Sequence, residues 1–126
     1  VLAGQRFLGF IPVADFATAR AFYEGTLGLP VLDDHGFAVV VDAGGTPLRL
    51  TEVRAFSPQP FTIAGWSVPD VRATVLRLAA AGVEVVRFEG MGQDDDGVWT
   101  APGGDQVAWF KDPFANLLSV SSAPVD

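Results

Sequence analysis

With one histidine and no cysteine, this chain has few side chains able to do covalent or acid–base chemistry. The absence of thiols excludes disulfides, a thiolate nucleophile and cysteine-bound zinc. His35 sits in an Asp33-Asp34-His35-Gly36 run that reads as a solvated turn. It is conceivable as a lone general base, but one imidazole cannot supply a two-histidine, one-carboxylate iron site within a subunit. For the same reason Ser119, Ser121 and Ser122 give a Ser-His-Asp triad little support. Asp94-Asp95-Asp96-Gly97 is a candidate cation clamp, for a metal or an amine. Adjacent carboxylates point apart, however, and the spacing misses the alternate positions of a calcium loop, so solvated loop charge is the plainer reading. The same run leads into Val98-Trp99, where a tryptophan beside a flexible acidic loop would serve as a ligand lid. Gly44-Gly45 and Gly103-Gly104 read as hairpin turns, since neither precedes a helix as a phosphate-cradling loop must.

The elements that position these residues occur twice. Val13-Ala14-Asp15-Phe16, an apolar-periodic stretch, then Leu27-Gly28-Leu29-Pro30-Val31 return half a chain later. The second copy is Val68-Pro69-Asp70-Val71, a similar stretch, then Ala81-Gly82-Val83-Glu84-Val85. Phe7 to Val13 is a predicted strand, and Asp15 caps a helix on which Phe16, Ala19, Tyr23 and Leu27 repeat at helical spacing. Pro30–Asp33, Phe37–Asp42 and Pro47–Val53 are further β segments. Arg54–Gln59 is the linker. Then come a strand over Phe61–Val68, a helix capped by Asp70 with Val71, Val75, Leu78 and Ala79 on its stripe, and a strand over Val83–Phe88. After a loop over 90–97, Val98–Ala101, Gln106–Lys111 and Leu117–Ser121 supply more β structure. The expected fold is α+β, with two tandem βαβββ modules at about 5–55 and 60–123 joined by linker 54–60 within a single domain, 1–126. Each helix has an apolar stripe and a polar back, so each covers one face of its sheet and leaves the other free.

Composition narrows the function classes. At 126 residues, with 49% apolar and 11% aromatic content, the chain is long enough for a core and too short for a separate catalytic domain. No apolar run approaches the roughly 18 residues that a membrane helix needs, and no secretory leader pattern opens the sequence. The expectation is a soluble protein without a membrane partner, and the lack of cysteine favours a cytoplasmic location. A net charge of −7 repels polyanions, which argues against nucleic acid as a partner. It is compatible with a cationic ligand, although keeping the protein in solution explains it equally.

Two motifs carry a family resemblance. Phe22-Tyr23-Glu24-Gly25-Thr26-Leu27-Gly28-Leu29 resembles the "FYxxxLG" signature of the vicinal oxygen chelate superfamily, which comprises glyoxalases, bleomycin resistance proteins and extradiol dioxygenases. Asp112-Pro113-Phe114-Ala115-Asn116-Leu117-Leu118-Ser119 resembles its "DPxGNxxE" ending, with Ala115 in place of the glycine. The resemblance implies paired βαβββ modules curved into a cup and a homodimer, in some members with modules exchanged between chains. In the enzymes it also implies a divalent metal at the bottom of the cup, held by His or Gln on each module's first strand and Glu on each last strand. Leu48-Arg49-Leu50-Thr51 is similar to the family's "LELT", so the four positions fall on Leu8, Arg49, Ile63 and Ser119. Leucine and isoleucine have no lone pairs to give, guanidinium is donor-only, and a neutral serine is a poor ligand. A one-residue slip brings in Gly9, Ala64 or Leu118, which coordinate no better. The expectation is no metal and no other cofactor.

With the metal positions lost, the same alternation puts Phe10, Val107, Trp109 and Leu117 on the cup wall, with Thr51, Ser67 and Ser119 as its polar groups and Trp99 at its rim. Trp66, of opposite parity, packs under the second helix. Arg49 needs an anionic or carbonyl partner there. Either a ligand's carboxylate, phosphate or keto oxygen, or an internal carboxylate such as Asp105 or Glu52, would serve. The leading functional expectation is a metal-free member that binds a small, partly apolar or aromatic molecule between its modules, with drug or metabolite sequestration as the simplest mechanism. The alternative is a lyase, isomerase or dioxygenase of the same superfamily with a displaced metal site. A third is a non-binding structural or regulatory dimer with its cup filled by its own side chains. Whether the chain is an enzyme is left open, and no catalytic residue is assigned.

Overall fold

The structure is a computed structural model and describes residues 1–124. Its chain divides into two compact units, residues 1–57 and Pro58 onward. In the first, β1 (Gly9–Val13) leads into α1 (Phe16–Arg20), followed by β2 (Val31–Asp34), β3 (Ala38–Asp42) and β4 (Pro47–Glu52). Their sheet has the order β1-β4-β3-β2, with β1 and β4 parallel and the rest antiparallel. In the second, β5 (Thr62–Ser67) leads into α2 (Val71–Ala80), then β6 (Trp99–Thr100), β7 (Gln106–Lys111) and β8 (Leu117–Ser121), in the order β5-β8-β7-β6. Both are βαβββ modules. No helix among the described residues is long and apolar enough to cross a membrane.

The two helices start by the same device. The Asp15 carboxylate accepts from the Thr18 amide at 2.7 Å, and Asp70 accepts from the Ala73 amide at 3.0 Å. The Thr18 amide holds the Asp15 carboxyl below its ordinary range. The first helix does not run on as α. Ala21–Thr26, within the Phe-Tyr-x-x-x-Leu-Gly motif, winds as a π-helix, and the Leu27 amide reaches the Phe22 carbonyl at 2.8 Å. Ala19, Phe22 and Tyr23 are buried, as are Ile11, Val13, Val39, Val41, Leu48 and Leu50 in the sheet. In the second unit Val71, Val75 and Leu78 of α2 are buried together with Ala108, Phe110, Leu118 and Val120, and Trp66 stacks on Phe110 at 6.5 Å.

The predicted strand over Val83–Phe88 does not form as such. Only Val85 bridges β7, at Phe110, and the pairing resumes at Trp99 opposite Val107. In the first module one strand, β2, pairs β3 over the corresponding stretch. The second module's copy is therefore one strand cut in two by segment 86–98.

That segment is tied down, contrary to the flexible lid expected from its composition. Arg72 of α2 forks onto Asp94 and Asp96, with both contacts at 2.6 Å. Arg87 donates to the Asp94 and Asp95 carbonyls. The Gln93 side chain accepts from the Phe88 amide and donates to the Val86 and Gly97 carbonyls. The Asp94 carboxylate also accepts from the Asp96 and Val98 amides. Two of the three carboxylates, those of Asp94 and Asp96, are engaged within the chain, while Asp95 is exposed. At Gly97, φ is +83°, and any β-carbon would run into Val85 Cγ1.

A second tight element joins β7 to β8. Asp112 Oδ1 accepts from the Phe114 and Asn116 amides, both at 2.9 Å, and Oδ2 from the Asn116 side chain at 2.8 Å. Asp112 and Asn116 are buried. Closing this turn puts Ala115 at φ 68°, the left-handed region, where an L-residue with a β-carbon is strained.

Two outcomes follow from these loops. Ala115→Gly should stabilise the protein by about 0.5–1 kcal/mol in urea or thermal unfolding, since relief of the strained φ exceeds the added entropy of the unfolded chain. Arg72, and after it the Val98 amide, hold the Asp94 carboxyl below its ordinary 3.8. A depressed folded pKa contributes stability above the unfolded value, and this is lost as pH falls through the folded one. In Arg72→Met the Asp94 carboxyl resonance should titrate closer to 3.8 by carbon-13 NMR. Amide exchange across 86–98 should accelerate in the same variant.

Candidate functional site

In each module the helix takes one face of the sheet, and strand alternation assigns the chemistry-bearing residues to the other. On the first sheet that face carries Phe10 and Pro12 of β1, Arg49 and Thr51 of β4 and Val40 of β3, by the register Phe10↔Arg49, Pro12↔Thr51 and Val40↔Arg49. Leu8 precedes β1 and is 38% exposed. Arg49 is half-buried, and its guanidinium carbon lies 6.0 Å from the centroid of the Phe10 ring, in the range of a cation–π contact. Neither Asp105 nor Glu52 pairs with it, and no other carboxylate among the described residues does. Thr51 Oγ1 is buried without a hydrogen-bond partner among the described residues, a state that costs on the order of 1–3 kcal/mol.

On the second sheet the register Gly65↔Ser119 and Trp109↔Ser119 places Gly65, Ser119 and Trp109 side by side. Trp99 sits across from Val107, with its ring 6.3 Å from Trp109. Phe88 meets Trp109 edge-to-face at 5.3 Å. Trp99, Val107 and Trp109 are all half-buried, so the cluster is neither sealed core nor solvated surface. Phe88 was not anticipated. It belongs to the cut strand, and its arrival at Trp109 depends on the Gln93 contacts that fold segment 86–98 back. A β-carbon at Gly65 would meet Ser119 Oγ at 2.5 Å and the Ser119 carbonyl oxygen at 3.1 Å, so Ser119 would have to shift.

The remaining expected positions fare differently. Ile63 falls in the β5 bulge between Thr62 and Ala64 and is 36% exposed. Leu117 is buried, with 5% exposure. The Ser67 hydroxyl is already used, donating to the Ala123 carbonyl at 2.8 Å. His35 is exposed in its turn, with its ring 6.1 Å from that of Phe37.

The family metal does not fit these residues. Among the described residues no three His, Cys, Asp or Glu side chains gather so as to hold an ion. In the first module the two positions carry an aliphatic group and a guanidinium, and in the second an aliphatic group and a neutral hydroxyl. Asp94 and Asp96, the best-placed carboxylates, are engaged by Arg72.

The fold is shared with solved structures. A member of the glyoxalase/bleomycin resistance protein/dioxygenase superfamily from Sphaerobacter thermophilus is 22% identical, with a TM-score of 0.73 over 96% of this chain and 98% of that one. Lactoylglutathione lyase from Agrobacterium tumefaciens is 18% identical, with a TM-score of 0.71 over 94% and 92%. A glyoxalase/bleomycin resistance protein/dioxygenase from Alicyclobacillus acidocaldarius is 20% identical, with a TM-score of 0.66 over 94% and 90%. At such identities the likeness is one of fold. No curated protein sequence matches the chain. The family profile described as Glyoxalase/Bleomycin resistance protein/Dioxygenase superfamily matches residues 6–120, and the chain belongs to that superfamily.

Proposed function

We propose that this protein is a metal-free member of its superfamily that binds a small, partly aromatic molecule against the helix-free face of its second sheet. The observation that carries the reading is the half-buried cluster of Phe88, Trp99 and Trp109 beside Ser119. Two indoles and a phenyl ring offer polarisable area for a flat guest, and such rings contribute binding energy beyond the area they bury. The lack of a side chain at Gly65 lets the Ser119 hydroxyl sit over it. The Ser119 hydroxyl can then donate to, or accept from, a polar edge of the guest. None of these groups supplies a metal ligand, a general base or an activated nucleophile. Sequestration, which needs binding alone, is the simplest activity they support.

Binding is read by intrinsic fluorescence in a Trp66→Phe background, since Trp66 packs against Phe110 and would dilute the signal. A panel of small aromatic molecules should include compounds that quench Trp99 and Trp109 saturably. Trp109→Ala should weaken the best of them by about tenfold or more, about 1.4 kcal/mol. Dialysis against a chelator should leave the affinity unchanged. A panel without any saturable response, or affinity that disappears with the chelator and returns with a divalent metal, overturns the reading.

A further inference from the structure

We infer that the first module carries a receptor for a carboxylate, centred on Arg49 with Thr51 as a second donor and Phe10 and Val40 as its apolar walls. The site stands on the first sheet alone and does not depend on the aromatic cluster of the second.

The contrast is with the chain's other half-buried arginines. Arg20 and Arg72 are half-buried like Arg49, and each is held by two carboxylates, Glu24 with Asp34 and Asp94 with Asp96. Arg49 is held by none among the described residues, although the chain has 15 acidic side chains to offer. Asp42 shares its face of the sheet, two positions along from Val40, but directs Oδ1 to the Gly45 amide at 2.6 Å. The groups directly beside Arg49 in the register are Phe10 on one side and Val40 on the other. Neither can accept a hydrogen bond from the planar fork of donors, and no side chain or carbonyl among the described residues does so.

Thr51 adds an independent sign. Its hydroxyl is on the same strand and face, two residues on, and is the one buried side-chain polar atom among the described residues without a partner. Rotation about χ1 exchanges the hydroxyl with the methyl, so the donor can turn toward a guest at the cost of one side-chain torsion. A forked cation and a hydroxyl donor together ask for a ligand that only accepts. Apolar walls lower the local dielectric and strengthen such a pair. A carboxylate matches the fork through two parallel N–H···O bonds. Its apolar remainder would lie along Phe10, which is 61% exposed. The net charge of −7 sharpens the point, because an acidic protein repels anions in general, and a half-buried cation without a carboxylate partner offsets that locally.

Benzoate and its neutral counterpart benzamide provide the test, read on protein carrying nitrogen-15 arginine. Benzoate should move the Arg49 Nε–H resonance saturably, and benzamide should bind at least about tenfold more weakly. Arg49→Met should abolish the preference, and Thr51→Val should reduce benzoate affinity severalfold while the Arg49 signal still responds. Equal binding of both compounds, or an Arg49 resonance that benzoate never moves, overturns the inference. Should Arg49→Met fail to fold, the wild-type comparison of the two compounds decides alone. Tryptophan fluorescence followed in parallel reports the second sheet, so this site can fail while the aromatic one stands, and the reverse.

Discussion

Each sheet of this protein has two faces and only one helix to cover them. Burying α1 commits Ile11, Val13, Val39, Val41, Leu48 and Leu50 to one side of the first sheet, with none more than 7% exposed. The residues between them then have no choice of direction, because side chains alternate along a strand and a slip of one residue would bury Arg49 under the helix. The same holds in the second sheet, where Ala108, Phe110, Leu118 and Val120 are committed to α2 and Trp109 and Ser119 are turned to the opposite face. The hydrophobic effect, acting on half the residues, orients the half that could do chemistry.

Superimposing the pairing registers of the two modules shows how far a shared plan has diverged in what it displays. Arg49 and Ser119 occupy matching places, as do Phe10 and Gly65, and Val40 and Trp109. One module puts a large ring on the parallel edge strand and a small aliphatic group on the inner strand. The other reverses the sizes. The cation on one sheet is replaced on the other by a hydroxyl set over a glycine. Neither combination reproduces the coordinating set that the superfamily's enzymes need at these places.

Much of this was legible in the chain. The Asp15 and Asp70 caps, the apolar stripes of the two helices and the parity of Phe10, Arg49, Trp109 and Ser119 all follow from local spacing, and local spacing survives folding. What escaped notice depends on distant partners. Arg72 meets Asp94 and Asp96 across a helix and a loop, so composition alone suggested a solvated acidic run. Val83–Phe88 has the β-branched and aromatic content of a strand, yet Gln93 captures the Phe88 amide and the Val86 carbonyl, leaving Val85 as the only bridge. Ser67 looked available until the chain beyond β8 brought the Ala123 carbonyl to it. The π-helical turn in the Phe-Tyr-x-x-x-Leu-Gly motif has no period of its own in so short a stretch.

The cut strand has a consequence for how this architecture can vary. Val85 and Trp99 are both anchored on β7, so whatever lies between them is a closed excursion whose two ends are held by the sheet. Loop-closure entropy grows only logarithmically with length, so such an excursion can lengthen or shorten at little expense to the framework. Because the excursion carries Phe88 onto Trp109, a change in its length would redecorate the second sheet's open face while every strand register stayed as it is. What this face displays and the architecture beneath it are thus separable, and the one changes by splicing where the other would need rebuilding.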